Sequence, residues 1–272
     1  MLAYLPLISA AISAVTSQAG ISGAFLLLPV QVSLLGIESP VASSTNLLYN
    51  VFSTPGGIYR HWREGRLNPK LTAAILSGTV PGMFTGAYVR SVYLLSSRTF
   101  RAFARAVLLA IAIRLILSRT RSERVRNFEV SDAKLSFSEL KYSFDGRVYR
   151  VRLLYLIPVA YLIGVVAGAY GVGGGAFLAP LLVSFFALPV YTVSGAVLLS
   201  TFVTSCLSAL FYSTLGYPPN VEVALLFGVG GVAGSYTGTR IQRKLPERVI
   251  KLVLGAVVVV IALKYLYSGL FA

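Results

Sequence analysis

Long apolar segments separated by short polar stretches run along most of this chain of 272 residues. The most apolar segments are 71–89, 153–170, 190–215, 223–239 and 252–268. Each reaches or approaches the roughly 20 residues that a helix needs to cross a bilayer. Because polar residues do not recur at every second position, membrane-spanning β-strands are not expected. The pattern predicts an all-α polytopic membrane protein.

The pattern occurs twice along the chain. Segment 20–29 reappears about 151 residues later as segment 171–180, and 50–53 aligns with 201–204. After a slip of one residue, 82–86 aligns with 234–238. Two homologous halves, each with glycines interrupting an early apolar segment, are typical of membrane transporters.

Each half is predicted to contain a glycine-broken pair of helices followed by three transmembrane helices. The predicted helices are 2–19, 23–36, 41–58, 70–90 and 98–118 in the first half (1–118), and 152–170, 175–188, 190–213, 220–241 and 248–270 in the second (152–272). Segment 176–188 would be only about 20 Å long as a helix, against a hydrocarbon core of about 30 Å. The broken pair therefore either re-enters the membrane or forms two helices that meet at a glycine hinge.

Either arrangement gives each half an odd number of crossings, which would place the second half upside down. The basic loop 60–66 is predicted to be cytoplasmic, whereas its counterpart 215–220 carries no charge. The basic cluster of the second half follows one loop later, at 240–251, as inversion predicts under the positive-inside rule. Arg90, Arg98 and Arg101 run against this assignment, because it places them outside. The halves are predicted to be inverted repeats.

A polar insert, 119–151, joins the two halves and contains five of the nine acidic residues. Within it, residues 142–149 alternate in polarity around Asp145-Gly146, which predicts a small β-hairpin. We expect a cytoplasmic element that acts either as a tether or as a regulatory module.

Composition narrows the classes of function. Charged residues make up 12% of the chain, about half the share of a soluble domain, and the net charge is +15. In a membrane protein this excess fits basic cytoplasmic loops facing anionic lipid. Nucleic-acid binding is not expected, because no basic stretch adjoins an aromatic platform. The single cysteine, Cys206, excludes an intrachain disulfide and a cysteine-rich metal site, and no metal or cofactor is expected.

Glycine breaks in membrane helices can bind anions. They expose backbone N–H groups and a helix N-terminus, whose partial positive charge suits an anion. Unpaired backbone is tolerated at membrane depth where it lines a cavity or is buried in protein. Alternatively, the glycines only allow close helix packing. The residues of the two breaks that we assign to substrate binding are Gly20, Ser22, Gly23, Gly171, Gly173, Gly174 and Gly175.

The helix after each break carries polar side chains at aligned positions. Asn50 and Ser53 in the first half, and Thr201 and Thr204 in the second, are spaced so that each pair shares a helix face. Aligned positions of an inverted repeat converge on one axis, so these four residues predict one central polar site. Alternatively, the hydroxyl groups bond to carbonyls of their own helix.

Acidic residues are absent from the depth of every predicted span, which argues against a carboxylate proton relay and favours an anion as cargo. The segment 20–23 also fits the Gly-x-Ser-Gly pattern of intramembrane serine proteases. Such a serine needs a histidine base, and the only histidine, His61, is expected in a basic loop at the water surface. The second copy has Gly173 in place of Ser22. We therefore expect no enzyme and assign no catalytic residue.

At these residues the chain resembles the sulfite exporter TauE/SafE family of small bacterial and archaeal permeases. The resemblance covers both halves and rests on the paired elements 20–29 and 171–180, segment 194–201, the loops at Gly65 and Gly216, and the helix ends at Gly86 and Gly238. The first break departs from the glycine-rich form at Ile21 and Ser22, which weakens the case for two equivalent cradles.

The resemblance implies a multi-pass permease of the cell membrane that moves sulfite, an organosulfonate or a 2-oxo acid. We expect a secondary transporter working by alternating access, with the halves rocking about the central site. The alternatives are a passive anion channel and a membrane scaffold that docks partners on the insert. The cargo, the direction of flux, the coupling ion (H⁺ or Na⁺) and homo-oligomerisation stay open.

Overall fold

A computed structural model of the protein describes residues 4–19, 21–37, 39–96, 98–104, 106–107, 109, 129–242, 245 and 249. The helices within these residues are α1 (Leu5–Thr16), α2 (Ala24–Leu35), α3 (Pro40–Arg63), α4 (Pro69–Val92), α5 (Leu153–Tyr170), α6 (Gly175–Ser184), α7 (Val190–Thr214) and α8 (Val221–Gln242). The described chain is therefore mostly helical, as predicted. The described residues of the predicted helix 98–118, namely 98–104, 106–107 and 109, are helical. The rest of that helix, the predicted helix 248–270 apart from residue 249, and the first part of the insert lie outside the described residues.

Three described helices, α5, α7 and α8, are long and apolar enough to cross a membrane. The breaks lie where the glycines predict them. A 3₁₀ turn at Ser17–Ala19 separates α1 from α2, and the segment 171–174 separates α5 from α6. With 12 and 10 residues, α2 and α6 are each about 15–18 Å long. Neither of these helices is long enough to span a bilayer.

Local signals fix the ends of the long helices in the same way in both halves. The side-chain oxygen of Asn68 accepts the N–H of Leu71 at the start of α4, and that of Asn220 accepts the N–H of Val223 near the start of α8. Gly65 and Gly216, which follow α3 and α7, take left-handed backbone conformations that suit a residue without a side chain.

Helix α3 is longer than the sequence predicts. The predicted span ended at residue 58, with 60–66 as a loop, whereas the structure continues the helix to Arg63. The helix ends only where Gly65 turns the backbone and the N–H of Arg66 bonds to the carbonyl of His61. The basic residues 60–63 therefore form the last turn of α3.

The helices of the two halves are interleaved. Helix α1 packs along α8, α5 packs along α4, and α3 contacts both α7 and α8. Glycines at every fourth position make the first two contacts close; they are Gly78, Gly82 and Gly86 on α4, and Gly230, Gly234 and Gly238 on α8. A methyl group at any of these positions would overlap a backbone carbonyl of α5 or α1. The inverted repeat itself stays a prediction.

The insert forms a small antiparallel sheet of three strands, β1 (Val130–Leu135), β2 (Glu139–Phe144) and β3 (Arg147–Arg152), in the order β1-β2-β3. The predicted hairpin is β2–β3, with Asp145 and Gly146 both left-handed in its turn. The prediction missed β1, so the hairpin is corrected to three strands. The N–H of Val130 bonds to the carbonyl of Gly65, which fastens the sheet to the C-terminal end of α3. We call this end of the helices the insert end.

Candidate functional site

The break between α5 and α6 is built on left-handed glycines. Gly171, Gly173 and Gly174 have φ angles of 83°, 73° and 83°. This conformation is energetically unfavourable for L-residues that carry a side chain, whereas glycine adopts it without strain. Gly175 then begins α6. The glycine-rich sequence is thus a requirement of the backbone path.

Side chains from α3 and α7 donate hydrogen bonds to the carbonyl groups of this break. The Nδ2 of Asn46 donates to the carbonyl of Gly171 at 2.8 Å, and that of Asn50 to the carbonyl of Val172 at 3.1 Å. The hydroxyl of Thr204 lies 3.2 Å from the carbonyl of Gly173, although it is closer to a carbonyl of its own helix at 2.8 Å. All three side chains are buried. The break is therefore held between one helix of each half.

The backbone N–H groups of the break, unlike its carbonyl groups, lack hydrogen-bond partners. Those of Gly173, Gly174 and Gly175 find no hydrogen-bond acceptor in the described part of the chain. They precede or begin α6, where the first N–H groups of a helix lack intrahelical partners and carry partial positive charge. An anion would supply the missing acceptors.

Polar side chains of both halves surround Gly173. A methyl group on this residue would lie 2.7 Å from the Ser205 hydroxyl, 2.7 Å from the Thr201 methyl and 3.1 Å from the Asn50 Nδ2. Asn50 also donates to the hydroxyl of Ser205 at 3.2 Å. The Oδ1 of Asn50 and the hydroxyl of Thr201 are buried without a hydrogen-bond partner among the described residues. These two atoms lie beside the break whose N–H groups also lack acceptors, so this spot is a candidate ligand site.

The first break is built differently from the second. Gly23 has a φ of −64°, in the right-handed region, and a methyl group on it would lie 2.8 Å from the Tyr49 hydroxyl. The Ser22 hydroxyl is buried and finds no partner in the described chain. Gly20 lies outside the described residues. The difference follows the sequence, in which Ile21 and Ser22 replace the glycine-rich form.

Asn46 links the two breaks. Besides Gly171, its Nδ2 donates to the carbonyl of Ala24, the first residue of α2, at 2.7 Å. The hydroxyl of Tyr170 donates to the carbonyl of Phe25 at 3.2 Å, which adds a second link. The start of α2 therefore lies beside the beginning of the second break.

Ser53 lies away from this cluster, on the contact between α3 and α8. Its carbonyl accepts from the Ser235 hydroxyl at 2.5 Å, and a methyl group at Gly231 would lie 2.5 Å from its Cβ. The structure thus brings Asn50, Thr201 and Thr204 to the second break and turns Ser53 towards α8.

Asn46 and Ser205 belong to the site but were not selected from the sequence. Asn46 precedes Asn50 by one helical turn, and Ser205 follows Thr201 by one turn. A search for polar residues four positions from the aligned pairs would have found both, because such residues share a helix face.

His61 lies elsewhere than predicted. It belongs to the last turn of α3, is fully buried, and neither ring nitrogen finds a partner among the described residues. A methyl group at Gly195 would lie 3.1 Å from its Cβ, so the ring packs against α7 at the insert end. The expectation of a water-exposed loop is wrong, because α3 continues past residue 58.

No group of three or more His, Cys, Asp or Glu side chains that could hold a metal ion occurs within the described residues.

Comparison with known proteins finds a family model and relatives that match this chain. The family model described as "Sulfite exporter TauE/SafE" matches residues 5–265. The probable membrane transporter protein YunE of Bacillus subtilis (strain 168) is 23% identical over 243 residues, which cover 87% of this chain and 84% of that protein. The probable membrane transporter protein YjnA of the same organism is 21% identical over 262 residues, 93% of this chain and 95% of that protein. No solved structure matches the chain significantly.

Proposed function

We propose, because the chain belongs to the sulfite exporter TauE/SafE family, that it is a secondary transporter of the cell membrane for a small anion. Its family and relatives identify it as a membrane transporter of the TauE/SafE type. The finer proposal is that the cargo is sulfite, an organosulfonate or a 2-oxo acid, and that the mechanism is alternating access.

The observation that carries the proposal is the set of unsatisfied polar groups around Gly173. The N–H groups of residues 173–175 and the hydroxyl of Thr201 together offer several hydrogen-bond donors to one small ligand. The Nδ2 of Asn50 already donates to Val172 and Ser205, so Asn50 borders the ligand position without adding a donor. Charged oxygens form stronger hydrogen bonds with such donors than neutral oxygens do. A sulfite, sulfonate or carboxylate group has oxygens of this kind.

The charge of the surroundings also favours an anion. Among the described helices, the one acidic residue is Glu222, in the exposed first turn of α8. A cation buried near Gly173 would therefore find no carboxylate, whereas an anion would meet no fixed negative charge within these helices.

The position of the site supports alternating access. Asn50 comes from the first half, whereas Gly173, Thr201 and Ser205 come from the second. A site between two homologous halves is the arrangement from which repeat-built transporters open to either side. We further propose that the insert end is cytoplasmic, because exposed basic side chains suited to anionic lipid cluster there; they include Arg63, Lys70, Arg147, Arg150 and Arg152.

Counterflow in proteoliposomes tests the proposal. Vesicles are loaded with unlabelled sulfite, ethanesulfonate or pyruvate, and the uptake of a trace of the same labelled compound is measured. We expect saturable uptake that internal unlabelled anion stimulates, because a carrier returns loaded faster than empty. Protein-free vesicles supply the background.

Two other outcomes would contradict parts of the proposal. Uptake without stimulation by internal anion would indicate a passive channel. Absence of uptake with every anion, from protein that elutes as a monodisperse species, would reject the anion proposal and favour the scaffold alternative.

A further inference from the structure

Two arginine side chains are fully buried at opposite ends of the helices that form the central site. Arg66 lies just beyond the C-terminus of α3, at the insert end, and is 0% exposed. Arg90, in the last turn of α4, is also 0% exposed and lies at the other end. On α3, Ser43 lies at the end of Arg90 and His61 at the end of Arg66. The helical rise between Ser43 and His61 puts these two ends about 27 Å apart.

The Arg66 cluster joins α3, α7 and α8. The guanidinium of Arg66 donates to the Oε1 of Gln242 at 2.6 Å and forms an ion pair with Glu64. The Nε2 of Gln242 in turn donates to the hydroxyl of Ser194 at 3.0 Å. His61 lies within electrostatic range of Arg66. This cluster covers the insert end of α3 and α7.

The Arg90 cluster covers the opposite end and touches the glycine break. The guanidinium of Arg90 lies 3.7 Å above the ring of Phe100 and donates to the carbonyl of Leu94. The phenol groups of Tyr212 and Tyr217 lie within electrostatic range of it. Tyr212 also donates to the carbonyl of Gly168, one turn before the break, at 2.8 Å. The cluster is therefore continuous with the break that forms the central site.

The two clusters occupy aligned positions of the two halves. The alignment of the repeats pairs Ser43 with Ser194, Tyr212 with His61, Tyr217 with Arg66, and Arg90 with Gln242. Ser43 belongs to the Arg90 cluster, where its hydroxyl lies 3.5 Å from the carbonyl of Ala169. Each cluster thus consists of residues at the same four aligned positions. Each contains one arginine: Arg66 aligns with Tyr217 of the other cluster, and Arg90 aligns with Gln242. Each end thus has one buried guanidinium, which the Glu64 carboxylate pairs at the insert end.

From these observations, and resting on the proposed anion transport, we propose that Arg90 and Arg66 are the substrate-recruiting sites at the two ends of the transport path. Each guanidinium binds the anion at one end and passes it to, or receives it from, the donors around Gly173; at the insert end the anion takes the place of the Glu64 carboxylate. The planar fork of arginine matches the oxygens of a sulfonate or carboxylate, which a lysine contacts only as a point charge. Arg90 in this position also explains why it runs against the positive-inside rule, since it is buried in the bundle and is not a loop charge.

Transport kinetics measured separately at the two membrane faces test this proposal. Labelled sulfite is the probe, in right-side-out and inside-out vesicles containing wild type, Arg90→Lys or Arg66→Lys. We expect Arg90→Lys to raise KM on the order of tenfold at one face and to leave KM at the other face nearly unchanged. Arg66→Lys should do the reverse, at the face that carries the insert. Arg240→Lys, at the exposed end of α8, is the matched control and should change neither KM.

A merely structural role would give a different result. If the arginines only hold helices together, each lysine variant should lower the maximal rate and the thermal stability while changing KM equally, or not at all, at both faces. That result would overturn the proposal and leave anion transport intact. A wild type that transports no anion would instead reject the proposed function itself.

One variant keeps the test valid if an arginine substitution unfolds the protein. Gln242→Glu has nearly the same shape and leaves Arg66 in place, but it adds a second carboxylate to that of Glu64, at a position where the Gln242 oxygen lies 2.6 Å from the guanidinium. We expect this variant to raise KM at the insert face only, because the carboxylate competes with the anion. An unchanged KM in the folded variant would reject the role of Arg66.

Discussion

Two neighbouring glycines of the second break both have left-handed φ angles but lie in different surroundings. Gly173 and Gly174 are both left-handed. A methyl group on Gly174 would meet nothing closer than 3.5 Å, whereas one on Gly173 would enter the cluster of Asn50, Thr201 and Ser205. Backbone strain and occupation of the site can therefore be separated by the same substitution at adjacent positions.

Gly173→Ala should abolish counterflow, whereas Gly174→Ala should retain most of it. Both variants force alanine into the left-handed region, at a cost of about 1–2 kcal/mol, so both should unfold at a somewhat lower temperature than wild type. Only the alanine at 173 displaces the donors that we assign to the anion. Equal transport by the two variants, measured at equal amounts of folded protein, would remove the residues around Gly173 from the proposed site.

At this scale the sequence predicted part of the candidate site. The duplication identified the second break, Asn50, Thr201 and Thr204, because a repeated polar residue in an apolar segment is visible without a structure. It did not identify Asn46, which has no polar counterpart at the aligned position, Val197. It also grouped Ser53 with Asn50, although Ser53, three residues further along α3, packs against Gly231 of α8. Which neighbouring helix a side chain meets depends on tertiary packing, and periodicity alone does not contain that information.

At the scale of elements, the glycine stripes on α4 and α8 determine how closely the helices approach. Without a hydrophobic driving force between helices in lipid, close backbone contact through small residues is the main source of packing energy. The stripes run along three successive turns of each helix, at Gly78, Gly82 and Gly86 in α4 and at the aligned residues of α8. Each stripe faces the first helix of the opposite half. The two halves thus share this interface, although their glycine breaks differ.

Gly82→Ala and Gly234→Ala should each destabilise the protein by about 1–3 kcal/mol, because the methyl group overlaps a carbonyl oxygen of the facing helix and forces the pair apart. Thermal unfolding in detergent, followed by the loss of monodisperse protein, measures this effect. Ala73→Val adds more volume at an exposed position of α4 and should change the midpoint little. A midpoint for either glycine variant equal to that of Ala73→Val would mean that the stripes do not set the helix spacing.

The insert shows why one of its strands was predicted and another missed. Strands β2 and β3 alternate in polarity around Asp145-Gly146, and that turn residue pair is a strong local signal. Strand β1 has the sequence Val-Ser-Asp-Ala-Lys-Leu, and its pairing with β2 is interrupted between Ser131 and Lys134. Asp132 there takes a left-handed conformation. A strand with an irregular register has no regular alternation, so a sequence pattern cannot reveal it.

At the scale of the whole molecule, the positions of the aligned arginine clusters at opposite ends are the strongest support for the predicted inversion, together with the exchange of helix partners between the halves. Helix α1 packs along α8, and the aligned helix α5 packs along α4. The Arg66 and Arg90 clusters likewise occupy aligned positions at opposite ends of α3 and α7. Two halves related by an axis in the membrane plane would produce both arrangements. A simple tandem repeat with parallel halves would instead place the aligned clusters at the same end.

This inversion makes a prediction about the aligned loops that precede α3 and α7. Gly36 and Ala187 occupy aligned positions in these loops, both are exposed, and both have left-handed backbones, with φ angles of 65° and 52°. In a background with Cys206→Ser, we expect Gly36→Cys to react with a membrane-impermeant maleimide from outside intact cells. Ala187→Cys should react only after the cells are opened, because Thr192, one turn into α7, contacts Tyr142 of the insert sheet, which we place in the cytoplasm. Val148→Cys, on the exposed sheet, is the cytoplasmic control. Since inversion requires aligned loops to lie on opposite faces, labelling of positions 36 and 187 from the same side would refute it, and the alternating-access mechanism would then lose its symmetric basis.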